Sequence, residues 1–170
     1  MPMVPFAQRF PKLGPAETKS VKVLSGDDDL PAGDYGFIDF YCDEKGCDCR
    51  RAMIVVLRPE TAWNKLWATI SYGWETKEFY QNWLPHGDPA ELQGPTLDPL
   101  APQSELSPAL LELFCRIVLP SPGYIDRLKR HYQMFRETVD RPGGDRMLQE
   151  ANRLQRRRVK HRDPRRRAKR

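Results

Sequence analysis

Three short segments rich in aromatic and β-branched residues, joined by brief connections, constrain the fold of this chain most. They cover residues 35–42, 51–58 and 66–72. Strands joined by so few residues pair as antiparallel neighbours, because a parallel pair needs a connection of a dozen or more residues. The sequence therefore predicts an antiparallel β-meander of about three strands.

Helical periodicity dominates the rest of the chain after these segments. Six prolines over residues 85–108 predict a long irregular crossing, since proline interrupts both helices and sheet ladders. The fold class that follows is α+β, with the small meander packed by three or four helices. Helices are predicted over 75–84, from Ser107-Pro108 through 119, over roughly 122–138, and weakly from Asp145 onward.

The charged residues are unevenly distributed. Residues 152–170 hold eleven Lys or Arg and one acid, a net charge of +10, which leaves 17 basic and 22 acidic residues elsewhere, a net charge of −5. A segment this basic cannot bury a core and is predicted to be disordered. We expect an extended arm over residues 1–20, a compact domain over 21–140 and a basic helix and tail over 141–170.

Three cysteines lie within eight residues between the first two predicted strands: Cys42, Cys47 and Cys49. Thiols stay reduced in a cytoplasmic chain, and thiolates are soft ligands that suit zinc. Gly46 allows the positive φ that a hairpin tip requires. We call residues 42–49 the cysteine knuckle, and the pattern predicts a metal site there, with zinc as the expected ion.

A closed tetrahedral zinc site needs a fourth donor, for which Cys115 and His131 are the candidates. Cys115 is expected to be a buried cysteine on its apolar helix, and His131 a partly buried, hydrogen-bonded histidine. Lys45, Arg50 and Arg51 are expected to favour the thiolate forms of the knuckle.

Other interpretations of the knuckle stay open: free or packing cysteines, a thiol nucleophile, or a redox sensor. A nucleophile needs a base, and no histidine lies near the knuckle in sequence. Asp39 is expected on the solvent face or paired with an arginine, and no second carboxylate has a convincing acid–base spacing. The sequence therefore favours a non-enzymatic protein.

Four tryptophans and two tyrosines form a further cluster, which predicts a core around the sheet more strongly than an aromatic platform for bases. Its members are Trp63, Trp67, Tyr72, Trp74, Tyr80 and Trp83.

The basic tail predicts a polyanionic partner. We expect it to bind RNA or DNA phosphates without sequence preference, and the alternative is an adaptor whose tail docks on an acidic protein. The candidate phosphate-binding residues are Arg156, Arg157, Arg158, Lys160, Arg162, Arg165, Arg166, Arg167, Lys169 and Arg170. The first 15 residues contain no continuous apolar run, so we expect neither a signal peptide nor a membrane span, and a cytoplasmic location.

The segments FIDFYCDEKGCDCRR, ISYGWETKEFYQNW and YIDRLKRHYQMF resemble a group of small, uncharacterised bacterial proteins that share a cysteine knuckle after an aromatic strand. The resemblance covers about residues 35–135 and leaves the basic tail outside. It implies no established activity.

Overall fold

A computed structural model describes residues 2–24, 29–59 and 66–143. The strands are β1 (Met3–Pro5), β2 (Lys19–Val23), β3 (Gly33–Cys42), β4 (Arg51–Leu57), β5 (Ala68–Gly73) and β6 (Gly94–Leu97). The helices are α1 (Phe6–Arg9), α2 (Leu13–Glu17), α3 (Lys77–Trp83), α4 (Pro89–Leu92), α5 (Ser107–Leu113), its π-helical continuation (Phe114–Val118) and α6 (Tyr124–Asp140).

The strands form one antiparallel sheet in the order β1-β3-β4-β5-β6, with β2 also paired to β3. The α+β class and the predicted meander are confirmed, since β3, β4 and β5 pair in sequence order. The sheet has six strands within the described residues instead of about three. The additional strands come from the N-terminal segment and the proline-rich crossing.

The core lies between one face of the sheet and the long helices. Along β3 the buried residues alternate with partly exposed ones, as a half-buried strand requires. Phe37 contacts Phe114 at a ring-centroid distance of 5.9 Å, and Tyr41 contacts Phe135 at 5.6 Å. The same period of two directs Asp39 into the core, where it is 3% exposed.

The N-terminal segment belongs to the domain and is not the extended arm expected over residues 1–20. It contributes β1, α1, α2 and the start of β2. Met3 lies opposite Cys42 at one end of β3, and Val21 lies opposite Tyr35 nearer the other end. Phe6 is 1% exposed and stacks on Phe10. The described N-terminal segment is therefore part of the folded domain.

The proline-rich crossing and the helix after it differ from the sequence prediction in two details. The crossing contains α4 and the edge strand β6. Ser107 begins α5, but its hydroxyl donates to the Trp67 carbonyl at 3.0 Å instead of capping the helix. The helical stretch is not buried all round, because Cys115 and Ile117 are exposed.

The core interpretation of the aromatic cluster is confirmed for Trp67, Tyr72 and Tyr80, which are at most 8% exposed. Trp63, the helix predicted from Asp145 and the whole basic tail lie outside the described residues. Among the helices that are described, none combines the length and the apolar composition needed to cross a membrane.

Candidate metal centre

The cysteine knuckle lies where β3 ends and the connection to β4 begins. Cys42 is the last residue of β3, and Cys47 and Cys49 belong to the connection. Gly46 has φ of 74°, as its predicted role at the tip requires, and Arg50 has φ of 45°, a conformation that costs a non-glycine residue free energy. These two left-handed residues turn the chain on either side of Cys47 and Cys49.

Helices α6 and α3 hold the knuckle in place. The Gly46 amide donates to Asp140 Oδ1 at 2.8 Å, and the Arg50 amide donates to Tyr132 Oη at 3.3 Å. The Tyr80 hydroxyl donates to the Arg50 carbonyl at 2.8 Å. Tertiary hydrogen bonds on both sides of the turn therefore stabilise the left-handed conformation of Arg50.

Two further contacts complete this support. The Asp43 amide donates to the Pro2 carbonyl at 2.9 Å, and the Asp43 carboxylate forms an ion pair with Arg9. Gly73 leaves room for the Tyr80 hydroxyl, since a Cβ at Gly73 would lie 2.4 Å from Tyr80 Oη. The N-terminal segment and the end of β5 thus both contribute to the position of the knuckle.

The three cysteine sulfurs converge, and their Sγ atoms all lie within 4.8 Å of one another. Cys42 is 0% exposed and Cys49 is 1% exposed, while Cys47 is partly exposed. A tetrahedral zinc ion with Zn–S bonds of about 2.3 Å places its sulfur ligands about 3.8 Å apart. The three cysteines are therefore close enough to hold a metal ion.

The local electrostatics favour one thiolate in the cluster. The hydrogen bond from Cys49 lowers the pKa of the Cys42 thiol to about 6, with help from the Glu44 amide at 3.5 Å and the charge of Arg136. Donating that hydrogen bond raises the pKa of Cys49, and burial raises the pKa of Cys47. A metal ion must therefore displace protons from Cys47 and Cys49.

The cation that acts on Cys42 is one that sequence reasoning did not select. Arg136 on α6 is 8% exposed and donates to the Cys42 carbonyl at 2.9 Å. Arg50 instead pairs with Asp48 at 2.9 Å and with Glu75 at 3.4 Å. Arg136 and Asp140 have the i, i+4 spacing of a helical ion pair, which is the signal that the sequence offers, but only the tertiary fold brings that pair to the knuckle.

The structure does not place either candidate fourth ligand at the cluster. Cys115 is exposed on the π-helical turn, which also corrects the expectation that it is buried. His131 is 0% exposed and is bonded elsewhere. Over residues 2–24, 29–59 and 66–143, no histidine or carboxylate joins the three cysteines in a ligand group.

His131 lies between two carboxylates in a second buried cluster. Its Nδ1 is 2.7 Å from Asp39 Oδ2, and its Nε2 is 2.8 Å from Glu17 Oε2. Each ring nitrogen thus has a carboxylate oxygen within hydrogen-bond distance. The ring also stacks on Phe6 at a centroid distance of 3.8 Å. The imidazole is hydrogen-bonded as expected, and it has no free nitrogen with which to bind a metal.

Asp39 is paired with a histidine instead of facing solvent or an arginine. Burial acts to raise the pKa of the Asp39 carboxyl, but the hydrogen bond and charge of His131 outweigh it, so the pKa lies below its usual value. Burial also acts to raise the pKa of the Glu17 carboxyl. The hydrogen bond and charge of His131, together with Arg130, outweigh burial and hold that pKa below its usual value. The lowered pKa values mean that the ionised carboxylates stabilise the folded state. The three residues of the cluster lie on α2, β3 and α6, so the cluster connects these elements.

Comparison of the chain with models of protein families, with curated protein sequences and with solved structures gives no match. The resemblance to small bacterial proteins with a cysteine knuckle stays a prediction. The side chains that the fold brings together are therefore the basis for a functional proposal.

Proposed function

We propose that this protein is a non-enzymatic zinc-binding module in which Cys42, Cys47 and Cys49 hold one ion. The observation that carries the proposal is the convergence of three thiols on a turn held by two helices. Sulfur donors at this separation match the ligand chemistry of structural zinc. A reducing cytoplasm, in which thiols are not lost to disulfides, is part of the proposal.

The ion would tie the β3–β4 connection into the core. Cys42 ends a central strand, while Cys47 and Cys49 precede the next, so a bound ion would cross-link both sides of the turn. A fourth ligand other than these cysteines, such as water, would complete the tetrahedral coordination of zinc. Because two thiols must lose protons, zinc affinity should increase with pH.

The basic tail supplies the second part of the proposal, which is nonspecific binding to nucleic acid. Its support is the net charge of +10 over residues 152–170 beside an otherwise acidic chain. Asp140, which accepts the hydrogen bond from Gly46, ends α6, and α6 is the last described helix before the basic region in sequence. Contacts made by arginine and lysine to phosphates carry affinity without reading sequence.

Replacing Cys47 with serine tests the metal site with little disturbance of the core, because Cys47 is only partly buried. Protein purified without chelator should carry one zinc ion per chain, and Cys47→Ser should lose it. At free zinc of about 1,000 times Kd, the ion stabilises the fold by about 4 kcal/mol, which corresponds to a Tm increase of about 10 °C. Elemental analysis and thermal melting on the same samples measure both effects.

Cys115→Ser is the matched control, since it removes a thiol that lies outside the cluster. It should keep one zinc ion per chain and the Tm of the parent protein. Zinc retained by Cys47→Ser at the parent affinity would contradict the proposed ligand set.

A further inference from the structure

The cysteine knuckle offers three sulfurs to one point and no fourth donor from the described residues. Zinc in a structural site prefers four ligands, whereas trivalent arsenic prefers three and carries a lone pair in the fourth direction. We propose that Cys42, Cys47 and Cys49 form a binding site for arsenic(III), taken up as arsenous acid. The inference deepens the proposed function, because it rests on the same three thiols acting as ligands.

Burial of the sulfurs favours an electrically neutral complex. Zinc with three thiolates carries one net negative charge, while arsenic(III) with three thiolates carries none. Cys42 and Cys49 are at most 1% exposed, and burying an unpaired charge is costly. The buried cation beside Cys42 is Arg136, which is already paired with Asp140 at 2.6 Å. Burial of the neutral arsenic complex therefore has a smaller desolvation cost than burial of an anionic complex at the same three sulfurs.

The partly exposed Cys47 gives the ligand a route into the site. Arsenous acid is small and uncharged, so it reaches a buried pair of thiols without the desolvation penalty of an ion. Cys47 can bind first, after which Cys42 and Cys49 lie within 4.8 Å to complete the pyramid. The knuckle is held on both sides by α6 and α3, so little ordering is needed on binding.

The binding reaction is a ligand exchange without oxidation or reduction. Cys47 and Cys49 each transfer a proton to one hydroxyl group of arsenous acid, and the third hydroxyl group takes a proton from solvent as the Cys42 thiolate displaces it. Three As–O bonds break, three As–S bonds form, and three waters leave. Arsenic stays in the trivalent state, and one proton is taken up per chain. Zinc binding by the same thiols does release protons, so a weakly buffered pH measurement separates the two reactions.

The test uses the full-length, metal-free protein under anaerobic conditions with sodium arsenite as the probe. Saturating arsenite should leave one reactive thiol of the four, and intact mass should increase by one arsenic atom less three hydrogens. Cys115→Ser should bind arsenite with unchanged affinity and leave no reactive thiol. Cys47→Ser should bind at least tenfold more weakly, because only two of the three As–S bonds remain.

More than one reactive thiol at saturating arsenite, or equal affinity of Cys47→Ser and the parent protein, would overturn the arsenic site. Circular dichroism checks that Cys47→Ser is folded, and the thiol count of the parent protein decides the question if it is not. Zinc binding by the same metal-free protein is measured in competition with a chromophoric chelator. Zinc bound without arsenite refutes the arsenic inference alone, arsenite bound without zinc refutes the zinc proposal alone, and the absence of both refutes the shared ligand set.

Discussion

The side chain of Arg136 joins α6 to the cysteine knuckle, through a hydrogen bond to the Cys42 carbonyl and through its charge. Its guanidinium donates to the Cys42 carbonyl and pairs with Asp140, and Asp140 accepts the hydrogen bond from the Gly46 amide. This ion pair, in which Arg136 is buried and Asp140 is exposed, thus contacts both sides of the turn. Removing one partner of such a pair leaves the other charge uncompensated, which makes both residues positioning elements of the knuckle.

Asp39→Asn should lower the free energy of unfolding at neutral pH by about 3 kcal/mol, because it removes the buried carboxylate bonded to His131 and leaves only the more exposed Glu17 beside the ring. Chemical denaturation measures the change. Glu137→Gln removes an exposed carboxylate from α6 and is the control, which should stay within about 0.5 kcal/mol of the parent protein. Equal stability of both variants would mean that the buried cluster adds no electrostatic stability.

The same substitution changes the response to acid. The pKa of Asp39 is lower in the folded protein than its usual value of 3.8. Its contribution to stability is therefore present above the unfolded pKa and is lost as the pH decreases through the folded pKa. Below about pH 4 the parent protein should lose stability more steeply than Asp39→Asn. Parallel stability curves for the two proteins would exclude this assignment.

Sequence distance decides which residue clusters could be predicted. The three cysteines lie within eight residues, so a turn between two strands was enough to predict that they converge. His131 is 92 residues from Asp39 and 114 from Glu17, and no local pattern connects them. The period of two along a strand puts Asp39 on the same face as Phe37 and Tyr41. Once that face is known to pack on the core, the same period predicts that Asp39 is buried.

At the scale of elements, the central strands and α3 and α6 followed from periodicity, while the edge strands did not. Pro5 lies in β1 and Pro95 lies in β6. Proline removes a backbone donor, so it argues against a central strand but is tolerated at a sheet edge, which is where both strands lie. The order of the strands in the sheet decides whether a proline-containing segment can be an edge strand, and that order could not be predicted from the local sequence pattern.

Phe6→Ala tests whether the N-terminal segment is part of the folded domain. Phe6 is 1% exposed and lies between Phe10 and His131, so truncation should cost about 3–5 kcal/mol of unfolding free energy. Leu24→Ala, at a site that is 67% exposed, is the control and should change stability by less than about 0.5 kcal/mol. If Phe6→Ala were as stable as the control, the interpretation of residues 1–20 as an extended arm would be favoured again.

At the scale of the whole molecule, charge separates the domain from its C-terminal region. Deleting residues 152–170 changes the net charge from +5 to −5. If the region binds nucleic acid, affinity should decrease strongly with salt, with log K falling by about 0.9 for each log unit of salt per phosphate contacted on duplex DNA. The deletion should abolish this binding and leave the Tm unchanged. Binding of RNA and DNA of mixed sequence, measured at increasing salt for both proteins, gives the affinity and its salt dependence.

A variant of full length distinguishes charge from chain length. Replacing the six arginines at 156–158 and 165–167 with glutamine brings the net charge to −1 without shortening the chain. It should bind nucleic acid more weakly and with a smaller salt dependence than the parent protein. Binding by the deletion variant at the parent affinity would move the interface to the folded domain, and no binding by the parent at low salt would favour the acidic-protein adaptor.

X-ray absorption at the zinc edge of the purified protein tests the central claim most directly, because it counts the atoms bound to the ion. Three sulfur ligands from Cys42, Cys47 and Cys49 should appear at about 2.3 Å, with one nitrogen or oxygen donor at about 2.0–2.2 Å. Cys115→Ser should give the same spectrum. A shell of nitrogen and oxygen alone would contradict the account, as would a fourth sulfur that disappears in Cys115→Ser.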